Sequence, residues 1–292
     1  MPTVLAPAKV NLFLHVGAPE ASGYHPLCSL MVFADAGDRV SVGPAEALGL
    51  TVVGPFANAL AGEGDNLVLR AARALIAEAR RPVPPLGLVL EKTLPVASGL
   101  GGGSSDAGAA FRLLREALDL PVTDARLEEL AGGLGADGAA CLWARPVIAQ
   151  GRGERLSPAP AMPVLDAVLV NPGVPVSTAE VYRRFDAEGV FGDVAPPAAP
   201  DAFESAQEVA AWLSTLRNDL EAPAIATAPE VGTVLETLRD EPESLLARVS
   251  GSGGTCFALC ASDMQAESLA GRVAAMAPGW WVRRCRLGGP WG

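Results

Sequence analysis

The sequence predicts a mixed α+β protein of two domains, on three observations. Residues 4–16 alternate apolar and polar with the period of a strand, and residues 89–118 read as a strand, a glycine loop and a helix. Pro158, Pro160 and Pro163 interrupt all periodicity, which divides the chain into residues 1–155 and 156–292. A length of 292 residues is ample for two moderate cores.

The composition narrows the function. Half of the residues are apolar but only 5% aromatic, so the core is built from Ala, Val and Leu. The formal charge of −11 argues against nucleic acid or an anionic membrane as partner, since both need clustered Lys and Arg to replace counterions. Any anion site must work locally, through backbone amides and a few cations. Cys28, Cys141, Cys256, Cys260 and Cys285 form no C-x-x-C pair and lie in apolar runs, which predicts buried, reduced thiols and a cytoplasmic protein. Lys9 lies inside the first apolar run rather than before it, so no signal peptide is expected. No apolar run approaches membrane-spanning length. The oligomeric state, monomer or homodimer, has no signature.

In the first strand Val10, Leu12, Leu14 and Val16 share one face, and Lys9, Asn11, Phe13 and His15 the other. Lys9 is either a solvated strand lysine or, paired with Asn11, a holder of a phosphate or hydroxyl; His15 is assigned no role. The turn Gly23-Tyr24-His25 places an aromatic beside one of two histidines. It could be a lid on the core, or a seat for a flat ligand stacked on Tyr24 and bonded by His25. Strands are predicted over residues 30–42 and 48–53, then a helix capped by Asp65-Asn66.

Pro95-Val96-Ala97-Ser98-Gly99-Leu100-Gly101-Gly102-Gly103-Ser104-Ser105-Asp106 organises the chain. Its glycines let the backbone take positive φ and let a ligand sit on the amides. The helix that follows, with its pattern over residues 107–118, opens with unpaired N–H groups, so the loop is a candidate phosphate cradle. It is no Walker A, because no Lys follows the last glycine, and Ser104 stands where a dinucleotide fingerprint needs its third glycine.

Thr123 caps the next helix, which Gly132-Gly133 end. Asp137 then stands alone among small residues, as a helix N-cap or as an acid facing a cleft. Residues 144–154 read as a strand and turn, and 167–170 as a buried strand. Ser177 or Thr178 caps a helix containing Tyr182, and residues 189–200 form a Pro/Ala-rich loop expected to be mobile. Helices are predicted around residues 208–216 and 231–239. A second glycine cluster, Ser250-Gly251-Ser252-Gly253-Gly254-Thr255, leads into a strand at residues 256–260. Ser262-Asp263-Met264-Gln265 is a capping box for a helix to Met276, and residues 280–283 begin a last strand. There is no internal repeat and no metal-ligand spacing.

Three stretches in this order resemble the GHMP kinase superfamily, the relatives of galactokinase, homoserine kinase and mevalonate kinase. They are Pro7-Ala8-Lys9-Val10-Asn11-Leu12, residues 94–105, and Gly251-Ser252-Gly253-Gly254-Thr255. Lys9-x-Asn11, Gly23-Tyr24-His25 and Gly135-Ala136-Asp137 look most like the branch that acts on a cytidine diphosphate-linked alcohol. The resemblance spans nearly the whole chain. It implies the two-domain GHMP kinase fold, with ATP and substrate sites in the cleft between the domains. The implied activity is ATP-dependent phosphorylation of the 2-hydroxyl of a cytidine diphosphate-linked methylerythritol in isoprenoid precursor synthesis, with Mg2+ expected beside ATP.

On that resemblance residues 95–105 cradle the phosphates, and Asp137 takes or orients the hydroxyl proton. Lys9 holds the hydroxyl and the transferred group, and Asn11 positions the alcohol. Tyr24, His25, Thr178 and Tyr182 meet the substrate, Tyr182 closing on the base. Ser105 is the one metal-ligand candidate. A homoserine-type or mevalonate-type kinase, or a nucleotide-binding module without chemistry, are the alternatives. Ser98 departs from the usual glycine, and Gly138-Ala139 replace a common Val-Pro, a departure that would loosen Asp137.

Overall fold

Strand β1 (Thr3–Val16) pairs antiparallel with the long β2 (Leu27–Pro44), and the rest of the molecule is laid against that ribbon. The computed structural model describes residues 1–62 and 64–291. On β2 one half carries β5 (Val147–Gly151) and the other β4 (Leu86–Glu91), which has β3 (Gly49–Val53) parallel at its far side. Residues Leu287 and Gly288 of β10 (Trp281–Gly288) pair with Ala34 and Phe33 of β2, so the sheet continues into β7 (Leu165–Asn171), β9 (Cys256–Cys260) and β8 (Leu246–Val249). The result is mixed helix and sheet, as the pattern predicts.

The alternation in β1 breaks where it matters. The register skips between Asn11 and Phe13, so Leu12 has no partner on β2, and another irregularity lies between Pro7 and Lys9. An extra residue in one strand bends it and re-aims side chains. Past the bulge Phe13 no longer shares the face of Lys9 and Asn11; it is fully buried in the same apolar cluster as Val10 and Leu12. That cluster also takes Leu165, Leu169, Phe257 and Leu287, so both halves of the chain contribute to it.

Two helices close the other face of β2 and β4. Helix α1 (Leu67–Ala77) begins where Asn66 accepts from the Val68 amide, and it packs Ala71 and Leu75 against Val40, Leu88 and Leu90. Helix α2 runs Gly102–Ala117, one turn earlier than the periodicity predicts, because Gly102 and Gly103 are helical rather than loop. Their missing side chains serve close packing: a Cβ at Gly102 would lie 2.9 Å from Lys92 Nζ, and one at Gly103 would lie 3.2 Å from Leu67. Strand β4 stops at Glu91, since the Thr93 and Leu94 amides donate to Asp38 Oδ1 at 2.6 and 2.8 Å instead of to the sheet.

Helix α3 (Asp124–Gly132) is capped by Thr123, and α4 (Gly138–Trp143) leads into the β5–β6 hairpin, with β6 at Arg155–Pro158. Residue 156 therefore lies inside a paired strand. In the second half α5 (Thr178–Glu188), α6 (Ala206–Ser214), α7 (Glu221–Thr227), α8 (Pro229–Asp240) and α9 (Asp263–Met276) cover β7 to β10. Helix α7 escaped the sequence reading because it is short and carries Pro223 in its first turn, where proline is tolerated. Ser177 is the cap of α5, accepting from the Glu180 amide. Ser262 caps α9, while Gln265 reaches the Ala261 amide at 3.1 Å rather than that of Ser262.

The loop over residues 189–200 makes several contacts with the body of the protein. Trp212 donates to the Ala198 carbonyl at 2.9 Å, Arg217 to that of Asp193 at 3.2 Å, and the Phe191 ring packs on Phe185 and His25. All five cysteines are free and buried, and burial raises each thiol pKa, to about 11 at Cys28 and about 12 at Cys141 and Cys260. Among the described residues no helix is long and apolar enough to cross a membrane.

Candidate active site

The two glycine stretches lock together at the floor of a cavity of about 450 Å3. Thr255 donates its amide to Ser98 at 2.9 Å, and Ser250 Oγ donates to Gly99 at 3.1 Å. A Cβ at Gly99, whose φ is +77°, would sit 2.4 Å from the Ser250 carbonyl, so only glycine allows this approach. Gly101, at φ +62°, occupies the cap position of α2 with no side-chain bond to the first turn. The opening amides of α2 are thus left for an anion at the positive end of a 16-residue helix.

Lys9 comes to this floor from the bulged strand. Its amide donates to the Leu100 carbonyl at 2.8 Å, and a Cβ at Gly101 would lie 3.0 Å from Lys9 Cε, so the glycine leaves room for the lysine stem. Lys9 Nζ is 3.1 Å from Asp137 Oδ2 and donates to Asn11 Oδ1 at 2.7 Å. Asp137 does stand at the N-cap position of α4, yet it makes no cap bond, and its carboxylate is left to Lys9. At the Gly138 departure the backbone is closely packed. A Cβ at Gly138 would overlap the Ala131 carbonyl at 1.9 Å, so the turn is pressed onto α3. The Asp137 carbonyl also accepts from the Cys141 amide at 2.9 Å.

Most of the predicted residues line this one cavity: Lys9, Asn11, Asp137, Thr178, Tyr182 and residues 95–99 and 101–104. Leu100 and Ser105 do not, because both side chains are fully buried; Leu100 contributes its carbonyl to Lys9 instead. From the second half Thr178 Oγ1 lies 2.8 Å from Ser252 Oγ, and burial pushes the Tyr182 phenol up to about 12, aided by Asp137 and Asp186.

His25 and Tyr24 stand beside the cavity rather than in its wall. The His25 ring lies 5.2 Å from that of Tyr182, Nδ1 donates to the Gly17 carbonyl at 2.8 Å, and Nε2 faces Asp186 at 3.1 Å. Both ring nitrogens already have protein partners, so a base would meet the ring face or displace Asp186. Tyr24 is 53% exposed, with the Arg152 guanidinium 3.4 Å over its ring.

Three groups escaped the sequence reading. Ser29 is fully buried and accepts from Asn11 Nδ2 at 2.7 Å. Ser250 Oγ accepts from the Asn11 amide at 3.2 Å. Beneath α2, Lys92 is buried between Asp38 and Asp106. Burial pushes Asp106 up to about 8, with Lys92 opposing and Asp38 reinforcing the shift. Burial acts to lower the Lys92 pKa, but the carboxylates of Asp106 and Asp38 outweigh it and raise it. Ser250 and Asp106 stand inside the two glycine motifs, but their partners are set by tertiary contact, and Ser29, Asp38 and Lys92 carry no local pattern that marks them.

Family models match both halves of the chain: the N-terminal domain of GHMP kinases over residues 66–145 and the C-terminal domain over residues 199–279. A 4-diphosphocytidyl-2-C-methyl-D-erythritol kinase of Caulobacter sp. (strain K31) is 62% identical, covering 98% of each chain. One of Hyphomonas neptunium is 50% identical over 97% of this chain and 95% of its own. The crystal structure of a 4-(cytidine 5'-diphospho)-2C-methyl-D-erythritol kinase superposes with a TM-score of 0.79 at 34% identity, covering 99% of this chain and all of that one. The mevalonate kinase of L. major shares the fold, with a TM-score of 0.66 at 17% identity. The fold and the cleft are those of a GHMP small-molecule kinase. Within that class the chain belongs to the family of 4-diphosphocytidyl-2-C-methyl-D-erythritol kinases.

Proposed function

We propose that the chain transfers the terminal phosphoryl group of ATP to the 2-hydroxyl of 4-diphosphocytidyl-2-C-methyl-D-erythritol. The observation that carries this reading is the 3.1 Å meeting of Lys9 and Asp137 beside the uncapped start of α2. An alcohol is a poor nucleophile at neutral pH, so a carboxylate within reach accepts its proton as the bond forms; Asp137 has that role. Phosphoryl transfer otherwise needs placement of charge. Lys9 steadies the hydroxyl and the group in flight, residues 95–105 hold the phosphates, and Asn11 places the alcohol.

The base is assigned to Tyr24, His25 and Tyr182, and Thr178 to the substrate's approach. The aromatic wall of His25, Tyr182, Phe185 and Phe191 supports this, since a flat base stacks on such a wall. Mg2+ carried in with ATP would offset charge on its phosphates. Among the described residues no three His, Cys, Asp or Glu side chains cluster to hold a metal. Mg2+ needs only one or two carboxylates beside phosphates and waters. Asp137 and the Ser104 hydroxyl border the cavity and fit that need, whereas Ser105 is buried away from it.

ADP release tests the reading. With ATP and magnesium, release should follow addition of the cytidine-linked alcohol and not of homoserine or mevalonate. Release with either of the latter alone would reassign the substrate, and none with any of the three would leave a nucleotide-binding module.

A further inference from the structure

The aim of Lys9 is set one layer further back. Ser29 Oγ lies 2.6 Å from the Phe13 carbonyl and 2.7 Å from Asn11 Nδ2. A carbonyl only accepts, so the single hydroxyl proton goes to Phe13. Toward Asn11 the hydroxyl can then only accept, which requires the amide NH2 to face Ser29. The amide oxygen is thereby turned to Lys9 Nζ, 2.7 Å away. Reversing the amide would set NH2 against an ammonium and leave Ser29 Oγ without a donor in a site with no access to water.

The backbone of Asn11 is anchored as well, its main-chain N–H donating to Ser250 Oγ. With Asn11 and Asp137 each taking one of the three ammonium protons, one N–H of Lys9 is left for a ligand. The bulge at Leu12 is what lets one serine serve both Asn11 and Phe13, for Ser29 stands opposite Leu14, just past the skip in register.

We propose that Ser29 is a positioning residue for phosphoryl transfer, acting by holding the Asn11 amide so that its oxygen fixes Lys9. The inference rests on the reading of Lys9 as the group that steadies the transferred phosphoryl. In the full chain S29A should lower kcat about tenfold or more while the KM for ATP stays within about twofold, the split expected when a reacting group is misaimed rather than a site unfolded. Because Ser29 acts only through Asn11, the kcat loss in S29A should not exceed that in N11A. Ser29→Cys fills the same space with a poor hydrogen-bonding group and carries the same test if the alanine variant does not fold.

Near-normal kcat in the folded variant overturns the assignment. So does a loss larger than that of N11A, or a parallel rise in the KM for ATP. K9A separates this from the parent reading: turnover kept in K9A sinks both, whereas turnover lost in K9A and kept in S29A sinks the Ser29 assignment alone.

Discussion

Lys9 is held by its own strand and by two further stretches of chain: its ammonium by Asn11 and Asp137, its amide by Leu100. A unit charge about 4 Å from a developing charge is worth ~4 kcal/mol at an effective dielectric of 20, whereas a helix terminus supplies ~0.3–2 kcal/mol. K9A is therefore expected to slow turnover by about 10^3-fold, more than trimming Ser104 does. If Asp137 accepts the hydroxyl proton as proposed, D137N should cost about 10^2 to 10^4-fold while ATP still binds, which titration of ATP against the variant checks. H25A should raise the KM for the cytidine-linked alcohol far more than that for ATP; equal changes would remove His25 from the base site. Lys9 and Asp137 were legible because an isolated charge in an apolar setting needs a reason, and Asn11 because it shares a strand face with Lys9. Ser29 was not, because a serine in a buried strand looks like any small polar residue until its two partners are seen.

At the scale of elements, the approach of the glycine turn to the first strand governs the site. G101A meets a positive φ and the Lys9 stem together. It should cost about 1–2 kcal/mol of stability and, by displacing the ammonium, about 10^2-fold in rate, a disproportion that melting and kinetics would reveal. The buried Lys92 cluster anchors the same turn from below, since Asp38 also holds the Thr93 and Leu94 amides.

D38N weakens the pairing of the buried Lys92 ammonium and the hold on the Thr93 and Leu94 amides together, and should cost about 3–5 kcal/mol, against about 1–3 kcal/mol for D106N. A carboxyl raised in the folded state stabilises the fold fully below its ordinary carboxylate value, and that contribution is lost as pH rises through about 8. The melting temperature of D106N should accordingly fall less than that of the native chain as pH rises from about 4 to about 8. The periodicity of α2 was readable only from Ala107 onward, because glycines chosen for close packing carry no helical pattern.

Across the whole molecule, the cleft takes Lys9, Asn11, Asp137 and the first glycine stretch from one half, and Thr178, Tyr182, Gly251 and Ser252 from the other. Neither half contains the cavity alone. The motifs announced this meeting, but the bulge at Leu12 and the interlocked glycine turns belong to tertiary contact, which no local pattern records. A chain of charge −11 that binds a polyanionic nucleotide must do so through these few groups rather than through a general field.

The most direct measurement follows the phosphoryl group itself: ATP labelled at the terminal phosphate, the cytidine-linked alcohol, and NMR assignment of the product in the native chain and in D137N. Label should appear on the 2-hydroxyl, at least about 10^2-fold more slowly in the variant. Label elsewhere on the product, or equal rates in the two proteins, would contradict the account.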